Sequence, residues 1–274
     1  MYLLFDIGGT NMRIGISSNG NTLKETKIVP TPENFEQGIQ TLKQISDELS
    51  NKEKITGVAG GIAGVLDQDK TMLISSTHIN RWVKKPFKQE LKKIFGCRVF
   101  LENDAALGGL GEAVKGAGAG KNIVAYLGIG TGIGGVRIVE GKIDKNSLGF
   151  EPGHQIVVID GNQCHCGNKG HLEAYVGGLY IEKIYQQRAE NIKDAVIWNQ
   201  IAKYLAVGLN NVIVHWSPDV VVLGGSVMKS LPLDMTANHL KSILTLFPQP
   251  PQLVLATLGH DAGLYGALAL IAEH

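Results

Sequence analysis

Three short glycine-rich turns in the sequence have the composition of phosphate-binding loops. Each accompanies a predicted β-strand: Gly8–Asn11 follows Asp6, Gly130–Gly132 separates two apolar stretches, and Gly224–Gly225 follows a β-branched run. Glycine leaves backbone N–H groups open to phosphate oxygens. One such turn is more typical of a plain hairpin, but three at strand ends indicate nucleotide binding. The predicted nucleotide-binding residues are Asp6, Gly8, Gly9, Thr10, Asn11, Gly130, Thr131, Gly132, Gly224 and Gly225.

Two aspartates have chemistry that complements a bound phosphate. Asp6 fits an indirect ligand of Mg²⁺, because hard cations near phosphates prefer carboxylates, often through water. Asp104 lies between a strand pattern and a helix pattern, where a carboxylate can accept a proton from a substrate hydroxyl. Asn103 is a candidate for holding a neighbouring hydroxyl. The competing interpretation of Asp104 is a helix N-cap, a usual role of aspartate at this position.

A cluster of histidines and cysteines predicts a metal centre. His154, Cys164, Cys166 and His171 fall within eighteen residues, and tetrahedral Zn²⁺ accepts two thiolates and two imidazoles. A structural ion would explain why the polar loop between them is ordered. Free thiols and surface histidines are the competing interpretation. We expect His165 to point to the opposite side of the turn from its cysteine neighbours, outside the ligand set.

The elements that must position these residues alternate between strand and helix patterns, which predicts an α/β fold. Apolar residues at helical spacing predict a helix over residues 35–49. Ile55–Ala59 predicts a strand that leads into a glycine-broken turn at residues 60–64. A weak internal repeat relates residues 4–14 to residues 126–138, since both contain an apolar strand, a Gly/Thr turn and a strand with Arg-Ile.

A Gly/Ala loop at residues 116–120 marks the predicted domain boundary. We expect a small α/β domain over residues 1–115 and a large α/β domain, with the metal loop, over residues 116–261. A helix at about residues 262–274 is predicted to pack back on the small domain.

Length and composition exclude several classes of protein. With 274 residues, 44% hydrophobic and 19% charged, the chain fits one large or two modest globular domains. Its net charge of +1 argues against attachment to nucleic acid or membrane by bulk charge. Three cysteines exclude a disulfide scaffold. The chain shows neither a signal-peptide pattern nor an apolar run of about 20 residues, so we expect a cytoplasmic protein.

Taken together, the motifs resemble those of the ROK family of sugar kinases and sugar-responsive repressors, within the actin/hexokinase-like superfamily. The stretches at residues 6–10 and 130–135 look like its two phosphate motifs, and Glu102-Asn103-Asp104-Ala105 looks like its catalytic motif. Residues 151–154 are similar to a sugar-binding Glu-x-Gly-His motif, residues 164–173 to a zinc signature, and residues 218–225 to the adenosine-side motif.

The resemblance covers nearly the whole chain and implies a two-domain actin-like (ribonuclease H-like) fold with an interdomain cleft. It implies that Asp104 is the catalytic base. The sugar-binding residues that it implies are Asn103, Asp104, Glu151, His154, Glu173 and Gly64.

Several positions depart from the family pattern. His171 stands where the last zinc cysteine is usual, and Ala106 stands where asparagine is usual. Ala63 replaces a proline near the sugar, and the stretch His78–Trp82 differs as well. Because the last two departures lie where the sugar would sit, the identity of the hexose stays open. His78 and Arg81 are equally well interpreted as solvated loop residues.

The sequence therefore predicts a transferase that phosphorylates a hexose with ATP, at the 6-hydroxyl, using Mg²⁺ and a structural Zn²⁺. One alternative is a non-catalytic sugar- or nucleotide-binding protein, such as a repressor, although a first motif that begins at Asp6 leaves no room for a DNA-binding segment. Another is a kinase for fructose or an N-acetyl-hexosamine. We expect no nucleic-acid or membrane partner. The family precedent is a homodimer, in which Trp82 and Trp198 are candidates for interface or core.

Overall fold

The computed structural model describes residues 1–76 and 79–273, and within them the chain divides into two compact units. Unit 1 comprises Met1–Lys115, Lys145–Gly149 and the C-terminal segment from His260. Unit 2 comprises Gly116–Asp144 and Phe150–Gly259. None of the helices within the described residues is long and apolar enough to cross a membrane.

Both units are built from strands and helices. The strands are β1 (Tyr2–Ile7), β2 (Asn11–Ser17), β3 (Glu25–Pro30), β4 (Gly57–Ile62), β5 (Val65–Leu66), β6 (Leu73–Ser75), β7 (Arg98–Asn103), β8 (Ile123–Ile129), β9 (Ile133–Val139), β10 (Lys142–Ile143), β11 (Val220–Gly224) and β12 (Gln252–Leu255). The α-helices are α1 (Phe35–Leu49), α2 (Phe87–Phe95), α3 (Asp104–Lys115), α4 (Glu173–Val176), α5 (Gly178–Tyr185), α6 (Ala195–Trp216), α7 (Leu233–Ile243) and α8 (Ala262–Ala272).

The main sheet of unit 1 has the strand order β3-β2-β1-β4-β7. The β1–β2 and β2–β3 pairs are antiparallel, whereas β1, β4 and β7 run parallel. The carboxyl ends of these three parallel strands therefore meet at one edge of the sheet, which is where ligands bind in open α/β folds. Asp6, Gly64 and Asn103 lie at or just beyond this edge.

An aromatic cluster forms part of the core of unit 1. The rings of Phe5, Phe35, Trp82 and Phe87 pack with centroids 5.4–6.1 Å apart. Trp82 is 1% exposed, so it belongs to this core. Burial of such large rings contributes several kcal/mol to folding, since each covers about 150–250 Å² of apolar surface.

Glycines set the spacing of the elements next to the ligand edge. A Cβ at Gly111 would collide with the carbonyl oxygen of Ala262, and a Cβ at Gly266 would collide with that of Leu107. Helices α3 and α8 therefore approach closely only because both positions lack a side chain.

The predicted strand at Ile55–Ala59 is wrong in its bounds. The strand β4 begins at Gly57 and continues to Ile62, so Gly60 and Gly61, which were expected in a turn, lie inside it. The reason is packing, because a Cβ at Gly60 would collide with the ring of Phe5 on β1. Glycine within a strand often marks such a close approach.

The main sheet of unit 2 has the order β10-β9-β8-β11-β12. Its pairs repeat the unit 1 pattern, with two antiparallel pairs followed by two parallel ones. The two parts of the weak sequence repeat fall on β1–β2 and β8–β9, which occupy equivalent places in the two sheets. The long helix α6 buries Trp198 in the core of unit 2, at 4% exposure.

Candidate active site and metal centre

In unit 1, Asp6 near the end of β1 pairs in register with Arg13 on β2. The Arg13 Nη1 atom lies 3.6 Å from Asp6 Oδ2, and its Nη2 atom lies 3.4 Å from His260 Nδ1. Burial and the nearby Asp104 carboxylate raise the pKa of Asp6 to about 7, against the lowering effect of Arg13. Two half-buried carboxylates that repel one another can hold a cation between them.

The first glycine turn, residues 8–10, is held by its own backbone and by Thr31. The Gly8 N–H donates to Asn11 O at 3.0 Å. Thr31 donates from its hydroxyl to Gly8 O at 2.7 Å and from its N–H to Thr10 O at 2.9 Å. Gly9 and Thr10 are exposed. The turn therefore presents small residues to solvent in a fixed shape.

The N-terminus of α8 packs directly on Asp6. A Cβ at Gly263 would lie 2.8 Å from the Asp6 Cγ and Oδ2 atoms, so only glycine fits beside this carboxylate. The sequence prediction did not include Gly263, Arg13 or His260 in the site. His260 and Gly263 come from a segment more than 250 residues from Asp6, and Arg13 comes from the neighbouring strand.

Asn103, and not Asp104, caps helix α3. The Asn103 Oδ1 atom accepts from Ala106 N at 3.0 Å, and its Nδ2 donates to Gly64 O at 3.0 Å. Asp104 is the first residue of the helix, and its Oδ1 accepts from the adjacent Ala105 N at 2.9 Å. The competing N-cap interpretation of Asp104 therefore applies to its neighbour.

Gly64 is held in a backbone conformation that requires glycine. Its φ is +132°, and a Cβ would lie 2.5 Å from Ser75 O. With the Asn103 amide on its carbonyl, this residue connects the β4–β5 turn to the start of α3.

The sequence analysis assigned no separate role to Glu102, a buried residue that directly precedes Asn103 in the chain. Its Oε1 accepts from Asn103 N at 3.0 Å, and its Oε2 forms an ion pair with Lys70. Its position directly after the apolar run at residues 99–101 was the available signal. The pair fixes the chain immediately before Asp104.

The stretch predicted to lie near the sugar is only partly described, because His78 falls outside the described residues. Trp82 donates from Nε1 to Pro32 O at 3.1 Å. Arg81 is exposed and forms a 3.4 Å ion pair with Glu33, which agrees with the interpretation of Arg81 as a solvated loop residue.

In unit 2, the second glycine turn packs against Glu173. The Ile133 N–H donates to Glu173 Oε2 at 2.7 Å, and a Cβ at Gly132 would collide with the same oxygen. The carbonyls of Gly130 and Thr131 accept from the backbone of the α4–α5 region at 2.8 and 3.0 Å. No atom lies within 4 Å of a Cβ built at Gly130, so among the described residues this side of the turn is open.

The third turn is also shaped by close packing. Gly225 has φ +92°, and a Cβ there would collide with the Ile129 backbone at the end of β8. A Cβ at Gly224 would lie 2.6 Å from Tyr126 Oη. Gly225 is exposed, and its assignment to the adenosine side stays a prediction.

The four predicted metal ligands of unit 2 converge. One ligand atom from each of His154, Cys164, Cys166 and His171 lies within 4.8 Å of all the others. His154 Nδ1 is 3.2 Å from His171 Nδ1 and 3.8 Å from Cys164 Sγ, while Cys166 Sγ is 3.3 Å from His171 Nδ1. Tetrahedral Zn²⁺ with bonds of about 2.0–2.3 Å requires separations of about 3.3–3.8 Å. The donor set therefore fits this ion.

Burial shifts two of these groups toward their neutral forms. It lowers the pKa of His154, against the raising effect of Glu173, and it raises the pKa of the Cys164 thiol. A coordinated metal reverses this for the thiol, because thiolates are the ligating form. Glu151, the remaining predicted sugar residue, is exposed and accepts from His154 N through its carbonyl at 3.0 Å.

The sequence analysis expected His165 to point away from its cysteine neighbours, but its ring lies beside both Cys164 and Glu173. Its Nδ1 is 3.0 Å from Glu173 Oε1 and 3.8 Å from Cys164 Sγ. A second group of possible ligands, His154, His165 and Glu173, therefore adjoins the first.

Comparisons with known proteins agree with this architecture. The chain is 28% identical to a glucokinase of Thermotoga maritima, across 98% of this chain and 96% of that protein. It is 29% identical to an N-acetyl-D-glucosamine kinase of Vibrio atlanticus, across 98% and 99%. The crystal structure of a ROK hexokinase from Thermus thermophilus superposes with a TM-score of 0.87 at 28% identity, covering 99% and 98% of the two chains.

These matches confirm the predicted α/β fold class of the actin-like ATPases. The sequence pattern of the ROK family matches residues 2–274. The chain therefore belongs to the ROK family.

Proposed function

We propose that the protein is an ATP-dependent sugar kinase that phosphorylates a hexose at its 6-hydroxyl, as a glucokinase does. The observation that carries this proposal is the pairing of Asp6 and Asp104 at the ligand edge of unit 1. Asp6 pairs in register with Gly61, and a Cβ at Gly61 would lie 3.0 Å from the Asp104 Cα. The two carboxylates are therefore neighbours at this edge, and Asp104 adds to the effect of burial in raising the pKa of Asp6.

Asp104 acts as the base. It accepts the proton of the attacking sugar hydroxyl while that oxygen forms a bond to the γ-phosphorus of ATP and the bond to the β,γ-bridging oxygen breaks, which yields a sugar phosphate and ADP. Asn103 is fixed by its cap and by Gly64, and Glu102 is fixed by Lys70. This framework holds Asp104 in place before the substrates bind.

The nucleotide-binding assignments follow the three glycine turns. In unit 1, we assign Gly8, Gly9, Thr10 and Asn11 to the phosphates. The exposed Gly9 and Thr10 offer backbone N–H groups, whereas the N–H of Gly8 closes the turn on Asn11 O. Asp6 orients the metal through water. In unit 2, Gly130, Thr131 and Gly132 bind phosphate, and Gly224 and Gly225 adjoin the adenosine. Mg²⁺, when bound, supplies positive charge to the transferring phosphoryl group.

The sugar-binding assignments are Asn103, Asp104 and Gly64 in unit 1, with Glu151, His154 and Glu173 in unit 2. His154 has Nδ1 in the metal cluster, which leaves Nε2 for a sugar hydroxyl. We assign the cluster of His154, Cys164, Cys166 and His171 to a structural Zn²⁺ that orders the loop between them.

Sugar-dependent release of ADP tests the proposal. The variant Asp104→Asn keeps the shape of the side chain but lacks a base, so turnover should fall by at least about a thousandfold while ADP binding, measured by calorimetry, stays unchanged. Asp69→Asn, an exposed carboxylate of unit 1, is the matched control and should retain full activity. Wild-type turnover in Asp104→Asn would refute the assignment.

The identity of the hexose is the second part of this test. Glucose is the first candidate, and the N-acetyl-D-glucosamine kinase among the relatives makes N-acetyl-hexosamines and fructose the next to assay. A protein that binds sugar and nucleotide without transfer would show heat of binding but no ADP release.

We further propose a cytoplasmic homodimer, a small domain over residues 1–115 carrying the C-terminal helix, and a large domain over residues 116–261.

A further inference from the structure

Glu173 is a buried carboxylate with both oxygens engaged by different segments of unit 2. Its side chain is 6% exposed. The Ile133 N–H, at the start of β9, donates to Oε2 at 2.7 Å, and the His165 imidazole lies 3.0 Å from Oε1. Oε2 therefore contacts the second glycine turn. Oε1 contacts the metal loop, which carries the candidate ligands Cys164 and Cys166.

The position of His165 is set by its surroundings. It lies between Cys164 and Cys166, two candidate metal ligands, and its own N–H donates to Tyr180 Oη at 2.6 Å. The loop geometry therefore determines where the imidazole projects, and the ring is placed to donate from Nδ1 to the carboxylate.

We infer that His165 is a positioning residue for Glu173, and that the metal loop orients this carboxylate through the imidazole. The kinetic part of the inference rests on the proposed function, in which Glu173 binds a sugar hydroxyl. The structural part, a restraint on Glu173 and on the Ile133 amide, does not.

The physical reason is rotation about the terminal bond of the glutamate. With only the hydrogen bond from the Ile133 N–H, the carboxylate can rotate about its terminal C–C bond, and Oε1 can point in several directions. The imidazole removes this freedom. A hydrogen bond to a charged group contributes enough that its loss corresponds to about a ten- to hundredfold change in affinity.

The test compares His165→Ala with His165→Asn in the full-length protein with its metal. The asparagine Nδ2 takes nearly the place of the histidine Nδ1, so it restores the donor. His215→Ala, an exposed histidine in the last turn of α6, is the control. Four quantities are measured: KM for the sugar, KM for ATP, metal content, and hydrogen-exchange protection of the Ile133 amide.

We expect His165→Ala to raise the sugar KM at least tenfold, with kcat and ATP KM within about threefold of wild type. The second glycine turn stays in place because the carbonyls of Gly130 and Thr131 accept backbone bonds from the α4–α5 region. Protection of the Ile133 amide should fall, metal content should stay unchanged, and His165→Asn should recover most of both losses. Unchanged Ile133 protection in the alanine variant, or an unchanged sugar KM in an active enzyme, overturns the inference.

Loss of metal in His165→Ala also overturns it, because His165 would then be a ligand. If the wild-type protein phosphorylates no sugar, the proposed function fails, while Ile133 exchange in the two variants still decides whether His165 restrains Glu173.

Discussion

Replacing Asp6 with asparagine should stabilise the ligand-free protein at alkaline pH. Burial and Asp104 raise the pKa of the carboxyl from 3.8 to about 7 in the folded protein. Between these pH values the folded state holds a proton that the unfolded state has lost, so stability falls as the pH rises. The full effect, reached above the folded pKa, is about 4 kcal/mol at about 1.4 kcal/mol per pH unit.

The quantity to measure is the change in the free energy of unfolding between two pH values. Effects of the substitution that do not depend on pH cancel in this difference. Part of the loss is already present at pH 5, so the wild-type protein should lose about 2–3 kcal/mol more than Asp6→Asn between about pH 5 and 8. Asparagine stays neutral throughout. The same variant should lose Mg²⁺-dependent turnover.

Hydrogen exchange of peptides from β1 and β2, without added Mg²⁺ or nucleotide, is the appropriate assay. A global unfolding signal would mix the two units, whereas these strands report on unit 1. Asp69→Asn, an exposed carboxylate on the β5–β6 turn, is the control and should follow the wild type. If wild type and Asp6→Asn lose stability in parallel from pH 5 to 8, the carboxyl does not hold a proton in the folded protein and the reasoning is refuted.

Three further outcomes follow from the packing around the site. Asn103→Ala removes the cap of α3 and the bond to Gly64, so urea unfolding should show a loss of about 1–2 kcal/mol, with Asn103→Asp less affected because it keeps the cap acceptor. Gly263→Ala places a Cβ against Asp6, so thermal melting and turnover should decline together, by about 1–3 kcal/mol in stability. Cys166→Ser should lower zinc content by metal analysis and reduce the melting temperature. Cys97 lies between α2 and β7, outside the metal cluster, so Cys97→Ser should not change the zinc content.

The sequence by itself determined the class of fold and the chemical inventory of the site. Alternating strand and helix patterns identified the α/β class because periodicity follows local backbone geometry. The convergence of His154, Cys164, Cys166 and His171 was predictable because they lie close together in the chain. The glycine turns and the motif around Asp104 were predictable for the same reason.

Only the tertiary structure decided which neighbours those residues have. The sequence does not show that Gly60 lies inside a strand, since the reason is the ring of Phe5 on a different strand. From the sequence we expect His165 to point away from its cysteine neighbours, whereas in the folded protein its ring lies against Glu173. The sequence does not reveal that Gly263 must be small, because Asp6 is more than 250 residues distant in the chain. Local patterns determine local geometry, but contacts between distant segments depend on how sheets and helices pack, and that packing sets the pKa of Asp6 and the orientation of Glu173.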